Sequence, residues 1–548
     1  MNKRPQNFNR RWPAIRCFAI VVLLLASPSS SRSEELPGTK PLTMEGDLAA
    51  QMVAGIDKYL MRELDKAAKG GDDAWKVNAT SLQAYLDSVK PNRDRLAKIL
   101  GVVDQRISPV TMEYVGEGTP SALVAATKQY KVYAVRWPVL PGVDGEGLLL
   151  EPTEAAKASV VAIPDADQTP EMLVGLAQGI PPESQFARRL AENGCRVIVP
   201  VLIDRKDTWS GNARLKRQTN ISHREFIWRM AYEMGRHIIG YEVQKVLSAI
   251  DWFQASFPHK RGESFPIGVY GYGEGGIVAL YSGALDPRIK STVVSGVAYD
   301  TRKDVWQEPI DRSVWASLPE FRDKLLRKLF ANQTLIFEQS NPPKVDGPPD
   351  RAGFRQAAPG RLTQSARVAA IIKTLDQNPL MAQMTFQGGS QGDADLHFGE
   401  ITTHKGVFGH PQTLQQFLKP LDIDFVVALF DKPAAPVLPS DLRKSFDPTP
   451  RQKRQFDQLV AYTQRLWRLS EPVRKQFWAK ADASSPKKWE ESSESYRDYF
   501  WTEIIGKLPK QTEPMNPRTR LAYDTPKWKG YEVTLDLYPD VFAYGILL

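Results

Sequence analysis

Residues Gly271-Tyr272-Gly273-Glu274-Gly275-Gly276 constrain the fold of this chain more than any other segment. Before them, Pro266-Ile267-Gly268-Val269-Tyr270 is a short apolar run; after them, Ile277-Val278-Ala279-Leu280-Tyr281 opens an apolar helical pattern. Strand, tight turn and helix in that order form the setting of a nucleophile elbow, G-x-S-x-G. There a serine sits on a strained turn with its hydroxyl exposed above the sheet. Gly271 and Gly275 fill the two glycine positions, and Gly273 stands where the serine belongs. Glycine has no side chain to attack a carbonyl, so the scaffold of an acyl-transfer site is written here without its usual nucleophile.

The same residues satisfy G-x-G-x-x-G through Gly271, Gly273 and Gly276. As a dinucleotide fingerprint this requires an acidic residue about 20 positions on. Asp300, beyond the apolar run Ser291–Val297, is a loose match. Two features weigh against an oxidoreductase: the strand lies mid-chain with others before it, and the chain carries an export signal.

That signal occupies residues 1–33, with basic Lys3, Arg4, Arg10, Arg11 and Arg16, the apolar run Cys17–Ala26, and then small residues 27–31. The apolar run is too short for a bilayer, which needs about 20 residues. The expected location is therefore periplasmic or secreted, with no stable membrane span after signal removal. The formal charge of +9 also originates largely there. Without residues 1–33, 66 basic residues face 63 acidic ones, which gives no reason to expect nucleic acid as a partner. Only Cys195 then remains, inside the apolar run Cys195–Pro200, where a core thiol is expected and no intramolecular disulfide can form. No metal-ligand spacing such as H-E-x-x-H is present, and no cofactor is expected.

Along the chain, apolar residues at helical spacing (Leu48, Met52, Ile56, Leu60, Leu64, then Leu82, Leu86, Leu96, Leu100) define a helical N-terminal extension over 34–120. From about residue 130 the pattern changes to strands: Lys131–Trp137, Gly147–Leu150, Ser159–Pro164 and Val197–Leu202, with a helix around Pro182–Asn193. Ser222-His223-Arg224-Glu225 is a capping box that launches a helical stretch to about Phe257, broken near Gly235 or Gly240. Further strands are expected at 291–297, Gln333–Glu338 and Met381–Gln387, with helices near 363–376 and Pro411–Leu418. Alternating strands and helices predict a mainly parallel, doubly wound sheet over 121–430. Residues 431–525 read as a helical and linker region, Ser/Lys/Glu-rich from about 481.

One internal repeat is visible. Tyr133–Leu150 aligns without gaps onto Tyr531–Leu548 at an offset of 398, with seven of 18 positions identical. Since 133–150 is the opening strand pair of the sheet, residues 526–548 are expected to open a second such unit, whose remainder would be a partner or further part of a tandem protein.

With strand order, elbow and capped helix in place, residues 125–430 resemble bacterial secreted α/β-hydrolases of the acetyl xylan esterase and dienelactone hydrolase type. The resemblance rests on Ile163-Pro164-Asp165-Ala166-Asp167-Gln168, on Tyr232–Gly240 and on Val269–Gly276. It is similar in particular to large planctomycete-type exported proteins sharing Gly-Tyr-Gly-Glu-Gly-Gly and the later Val305–Pro309. The resemblance implies a Ser–His–acid mechanism with backbone oxyanion donors. Here those donors would come from Glu274 and from the turn Asp165-Ala166-Asp167-Gln168, in a pocket with Tyr272 and Gly275. Glu338 matches the acid in chain order, and His397, His404 and His410 all follow the expected last strand.

Three functions therefore compete. The first is a hydrolase-fold unit that binds a small-molecule ester or acylated carbohydrate, or supports a second hydrolase unit, without serine chemistry. The second is an ester hydrolase in which Glu274 and a histidine activate water. The third is a dinucleotide-binding oxidoreductase.

Overall fold

The computed structural model describes residues 34–69, 75–116, 122–215, 219–256, 265–297, 306–321, 323–330, 332–345, 360–362, 398–425, 438–443 and 445–548. Two compact units emerge, Glu63–Gly506 and a smaller one from Met1–Arg62 with Lys507–Leu548.

The large unit is built on one sheet. Its strands are β2 (Glu113–Tyr114), β3 (Leu123–Ala126), β4 (Tyr130–Leu140), β5 (Val143–Pro152), β6 (Ala158–Ile163), β7 (Cys195–Pro200), β8 (Ile267–Tyr272), β9 (Ile289–Ser295), β10 (Thr334–Ser340) and β11 (Phe398–Gly406). They run β11-β10-β9-β8-β6-β7-β5-β4-β2, with β3 paired to β4. From β7 to β11 every pairing is parallel, and β5 is antiparallel to both neighbours. This order, with a crossover between β6 and β7, is that of an α/β-hydrolase fold. Period-two side-chain alternation sends Val161, Ile163 and Ile198 into one core and Val160, Ala162, Val197 and Val199 into the other. Burial on both faces explains why these strands read as continuous apolar runs.

Helices cover both faces. The long helical stretch is two helices, α5 (His223–Glu233) and α6 (Ile238–Ser256), parted at Gly235, which adopts φ +67°. Ser222 caps α5 by accepting from the Glu225 amide at 3.1 Å, while Glu225 turns to Arg229 at 2.7 Å instead of reaching back. Before the sheet, α2 (Leu82–Ile99) buries Tyr85, Val89 and Leu96 in the core; between β6 and β7 lie α3 (Pro170–Val174) and α4 (Phe186–Glu192). Helix α7 (Glu274–Leu285) follows the elbow and is buried almost all round.

Two expectations need correction. Residues from 481 do not form a linker: Pro486–Tyr499 is a helix, with Ser485 accepting from the Lys488 amide at 3.2 Å. The last described strand of the large sheet is Phe398–Gly406, so His404 lies on a strand instead of in the loop after one. The expected strand Met381–Gln387 and the helix near 363–376 lie outside the described residues.

In the smaller unit, β1 (Lys40–Pro41), β12 (Arg518–Asp524), β13 (Lys529–Tyr538) and β14 (Val541–Leu547) form a sheet in that order. Within this unit α1 (Leu48–Lys69) stacks Tyr59 on Tyr538 at 4.8 Å, and Arg62 pairs with Asp540 at 2.7 Å.

The sequence repeat is also a repeat of register. Tyr133↔Leu149, Val135↔Gly147 and Leu140↔Val143 in β4–β5 become Tyr531↔Leu547, Val533↔Gly545 and Tyr538↔Val541 in β13–β14. The preceding pairings, Leu123↔Tyr133 and Ala126↔Lys131, become Leu521↔Tyr531 and Asp524↔Lys529. Both turns hold a positive-φ residue at the same place, Gly142 at +81° and Asp540 at +66°.

Candidate functional site

In an α/β sheet, function gathers beyond the carboxyl ends of the strands. Here β6 runs into Asp165, β7 into Arg205, β8 into Gly273 and β10 into Asn341. Gly273 takes φ +60°, ψ −122°, a conformation strained for any side chain. Its amide donates to the Ser295 carbonyl at 2.9 Å. Gly275 is forced by proximity, because a Cβ there would lie 2.3 Å from the Ile163 carbonyl oxygen. The turn is thus a tight strand-to-helix crossing whose apex, Gly273, carries only a hydrogen atom.

The space above that hydrogen is taken. A Cβ on Gly273 would meet Asp165 Oδ1 at 2.3 Å and Pro343 Cγ at 2.6 Å. The Asp165 carboxylate also accepts from two backbone donors around the turn. The Glu274 amide donates to Oδ1 at 3.0 Å and the Asp167 amide to Oδ2 at 3.3 Å. Arg205 clamps the same carboxylate in bidentate fashion, Nη1 to Oδ2 at 2.7 Å and Nη2 to Oδ1 at 2.9 Å. Burial alone would raise the Asp165 pKa, but the Arg205 guanidinium outweighs it and holds the carboxyl below its usual range.

Glu274, next on the elbow, is 1% exposed and turns into the core. Its Oε1 accepts from Arg205 Nη2 at 2.9 Å and Arg312 Nε at 2.7 Å, and Arg224 stands 3.7 Å from Oε2. Burial opposes its ionisation, yet Arg312, Arg224 and Arg205 together hold it ionised well below the ordinary carboxylate range. Arg224 also binds Glu242 at 2.8 Å and Asp311 at 2.9 Å. The elbow therefore rests on a buried lattice of alternating charges.

The remaining residues divide into two groups. Ala166, Asp167 and Gln168 form the turn beside Asp165; Gln168 Oε1 accepts from the Asp165 amide at 3.2 Å, and Asp167 pairs with Arg205 at 2.8 Å. Tyr272 stacks on Phe408 at 3.7 Å, and its hydroxyl donates to the Asn341 carbonyl at 3.0 Å. Glu338, on β10, is buried and accepts from Tyr270 Oη at 3.0 Å, Ser295 Oγ at 2.6 Å and the amides of Gly409 and His410 at 3.0 Å. That carboxylate anchors the loop entering the helix Pro411–Leu418, whose N-cap is His410, with Nδ1 accepting from the Gln412 amide at 3.4 Å. His397 and Asp300 lie outside the described residues.

Sequence reading did not find Arg205, Arg312 or the pair Asp204–His223. His223 Nδ1 lies 2.6 Å from Asp204, while Nε2 accepts from the Trp209 amide at 3.0 Å and the ring stacks on Trp209 at 4.4 Å. With its second nitrogen engaged by a backbone donor, this histidine ties Asp204 and Trp209 to the start of α5 and has no lone pair left for a nucleophile. Beside the elbow a cavity of about 510 Å³ is lined by Asp167, Gln168, Arg205, Lys206, Trp209 and Gln452, among others. Its size and its few convergent polar groups suit a small ligand. Among the described residues no cluster of His, Cys, Asp and Glu could hold a metal ion.

No family model matches the chain, and neither does any curated protein. Among solved structures it is similar to a putative acetyl xylan esterase from Bacteroides fragilis, at 15% identity over 52% of this chain and 74% of that one, TM-score 0.40. It is also similar to a glucuronoyl esterase from Solibacter usitatus, at 13% identity over 64% and 98%, TM-score 0.36. A third is acetyl xylan esterase 1 from Thermoanaerobacterium sp., at 13% identity over 61% and 94%, TM-score 0.31.

Proposed function

We propose that the large unit is an exported hydrolase-fold module that binds an acylated carbohydrate or small ester in the cavity beside the elbow and does not hydrolyse it. One observation carries this reading: the Asp165 carboxylate accepts from the Glu274 amide of the elbow at 3.0 Å and from the Asp167 amide of the neighbouring turn at 3.3 Å, the donors that an acyl-transfer oxyanion would need in this reading. A second negative charge cannot share that position. The site is doubly disabled, without a nucleophile and with its anion hole filled from within. Trp209 supplies a flat apolar surface for a sugar ring, and Gln168, Lys206 and Gln452 supply polar contacts. Export rests on the signal in residues 1–33, and no helix among the described residues is long and apolar enough to cross a membrane.

Water activation by Glu274 and a histidine has against it the three arginines that keep Glu274 buried and ionised. A carboxylate so stabilised is a poor base. Dinucleotide binding has against it the strand order, since the glycines of 271–276 serve the tight strand-to-helix crossing.

The test is p-nitrophenyl acetate hydrolysis by residues 34–548, beside Gly273→Ser and the double variant Gly273→Ser/Asp165→Ala. The unaltered chain and the single variant are expected to be silent, the latter because its Cβ collides with Asp165. Activity only in the double variant would identify the aspartate as the plug. Hydrolysis by the unaltered chain above the buffer rate would overturn the proposal. Titration calorimetry with acetylated xylo-oligosaccharides supplies the positive arm, with Trp209→Ala expected to weaken binding about tenfold, or about 1.4 kcal/mol.

A further inference from the structure

The two copies of the hairpin share their register but not their surroundings, and the differences fall on one edge. In the large unit, β5 pairs with β7 through Gly147↔Pro200, Leu148↔Val199, Leu149↔Ile198 and Leu150↔Val197. Gly147 is required there, since a Cβ would lie 2.0 Å from the Val199 carbonyl oxygen. The equivalent stretch is Gly545, Ile546 and Leu547 at the end of β14, followed by Leu548. Among the described residues β14 pairs only with β13. Gly545 has nothing within 4 Å of an added Cβ, yet it is glycine like its counterpart. Leu148, Leu149 and Leu150 are fully buried, whereas Ile546, Leu547 and Leu548 are 44%, 52% and 78% exposed. A glycine kept where nothing approaches it, beside three exposed aliphatic residues, is what a strand edge awaiting a neighbour looks like.

A second surface, within the large unit, gives the same indication. Ahead of the first hairpin, α2 opens on a motif in which Asn78 donates its amide to Ser88 Oγ at 3.1 Å and Ser81 Oγ caps the Ala84 amide at 3.1 Å. Ahead of the second, the helix Pro486–Tyr499 opens in the same way: Asp482 donates to Ser492 Oγ at 2.9 Å and Ser485 caps Lys488 at 3.2 Å. Both helices run out to a positive-φ glycine, Gly101 at +67° and Gly506 at +76°. The second gains one residue through the π-helical turn Phe500–Ile505. Tyr85, Leu96 and Leu100 of the first copy are buried in the hydrolase core, at 0%, 1% and 0% exposure. Their counterparts Trp489, Phe500 and Ile505 are 44%, 55% and 48% exposed. Large apolar residues clustered on one exposed helix mark an interaction surface.

We propose that the exposed edge of β14 docks a second α/β-hydrolase core, whose strand equivalent to β7 adds antiparallel to it over Gly545–Leu548. The partner strand is short, apolar and β-branched, of the type Val197-Ile198-Val199-Pro200, and the register follows from the first copy: Ile546 opposite a Val199 equivalent and Leu548 opposite a Val197 equivalent. Docking at this edge follows from sheet geometry and is independent of the chemistry at the elbow.

The test uses the full chain and a synthetic peptide with the sequence of residues 194–202, Cys195→Ser, bearing a lysine tail for solubility. At millimolar peptide the outward amides of Gly545–Leu548 should exchange hydrogen at least fivefold more slowly, and a scrambled peptide should have no effect. Gly545→Val should fold unchanged, because space is open there, but should lose the protection, because its side chain blocks the approaching strand. Absence of protection, or protection that survives Gly545→Val, overturns the proposal. Protection without peptide, accompanied by dimers in sedimentation, overturns it in favour of a second copy of this chain as the occupant.

Discussion

The strand triplets β3–β5 and β12–β14 show how little of a hairpin's geometry depends on what covers it. Pairings, bulge positions and turn conformation coincide, although the first triplet is the flank of a ten-stranded sheet and the second belongs to a four-stranded one. What the triplets share is local: a threonine turn, a proline followed by a positive-φ residue, and a glycine four residues past the second turn's valine. What they do not share is burial, which a neighbouring strand confers. Register is set by turn chemistry and alternation, and stability by the packing added afterwards.

The largest contrast between the two copies is expected from Tyr85→Ala against Trp489→Ala. Tyr85 is fully buried and donates to the Lys328 carbonyl at 3.0 Å, so its loss should cost about 3–5 kcal/mol in urea unfolding. Trp489, at the matching position on an exposed helix face, should cost no more than about 0.5 kcal/mol. A large loss at Trp489 would mean that the chain already covers this face in solution, and the distinction between the copies would fail.

Acid separates the two units next. The buried carboxylates Asp165 and Glu274 have folded pKa values below their ordinary ones, about 3.9 and 4.3 for unfolded chains. Groups with depressed folded values contribute stability that is fully present above the unfolded values and lost as pH falls below them. In the smaller unit, Glu532 is also lowered, chiefly by its hydrogen bond to Arg520, but that pair is partly exposed and screened. Exchange protection around Asp165–Gln168 should therefore fall as the pH drops below about 4, before that of β12 and β13. Simultaneous loss in both sheets would deny the arginine lattice its role.

The hydrolase fold was legible because its signals are local: alternation, a capping box, and glycines at the elbow. The lattice beneath the elbow was not, because Asp165 and Glu274 are far apart in sequence and Arg205, Arg224 and Arg312 come from three further segments. The turn 165–168 could be read for backbone donors, but not for a side chain that folds back onto them. The helix after 481 was hidden by its Ser/Lys/Glu composition, although Ser485-Pro486, an N-cap followed by proline at the first helical position, was the signal that could have revealed it. His404 was placed after the last strand because Phe398–Gly406, rich in Thr and bounded by glycine, alternates only weakly.

The smallest effect is the most stringent test of equivalence. In the first copy Thr127 Oγ1 accepts from the Tyr130 amide at 3.0 Å and donates to the Tyr130 carbonyl at 3.0 Å. In the second, Thr525 Oγ1 accepts from the Trp528 amide at 3.0 Å and donates to the Trp528 carbonyl at 2.7 Å. Replacing either threonine by valine keeps the branched shape and removes the hydroxyl, at a cost of about 1 kcal/mol. Because the turn is local, the loss should be the same in both copies, read as faster exchange of the Val132 amide in one variant and of the Gly530 amide in the other. Equal effects would show that the turn fixes register independently of burial. A markedly larger effect at Thr127 would assign that register to the surrounding sheet, and the exposed copy would then be held in place by α1 and β1 instead of by its own sequence.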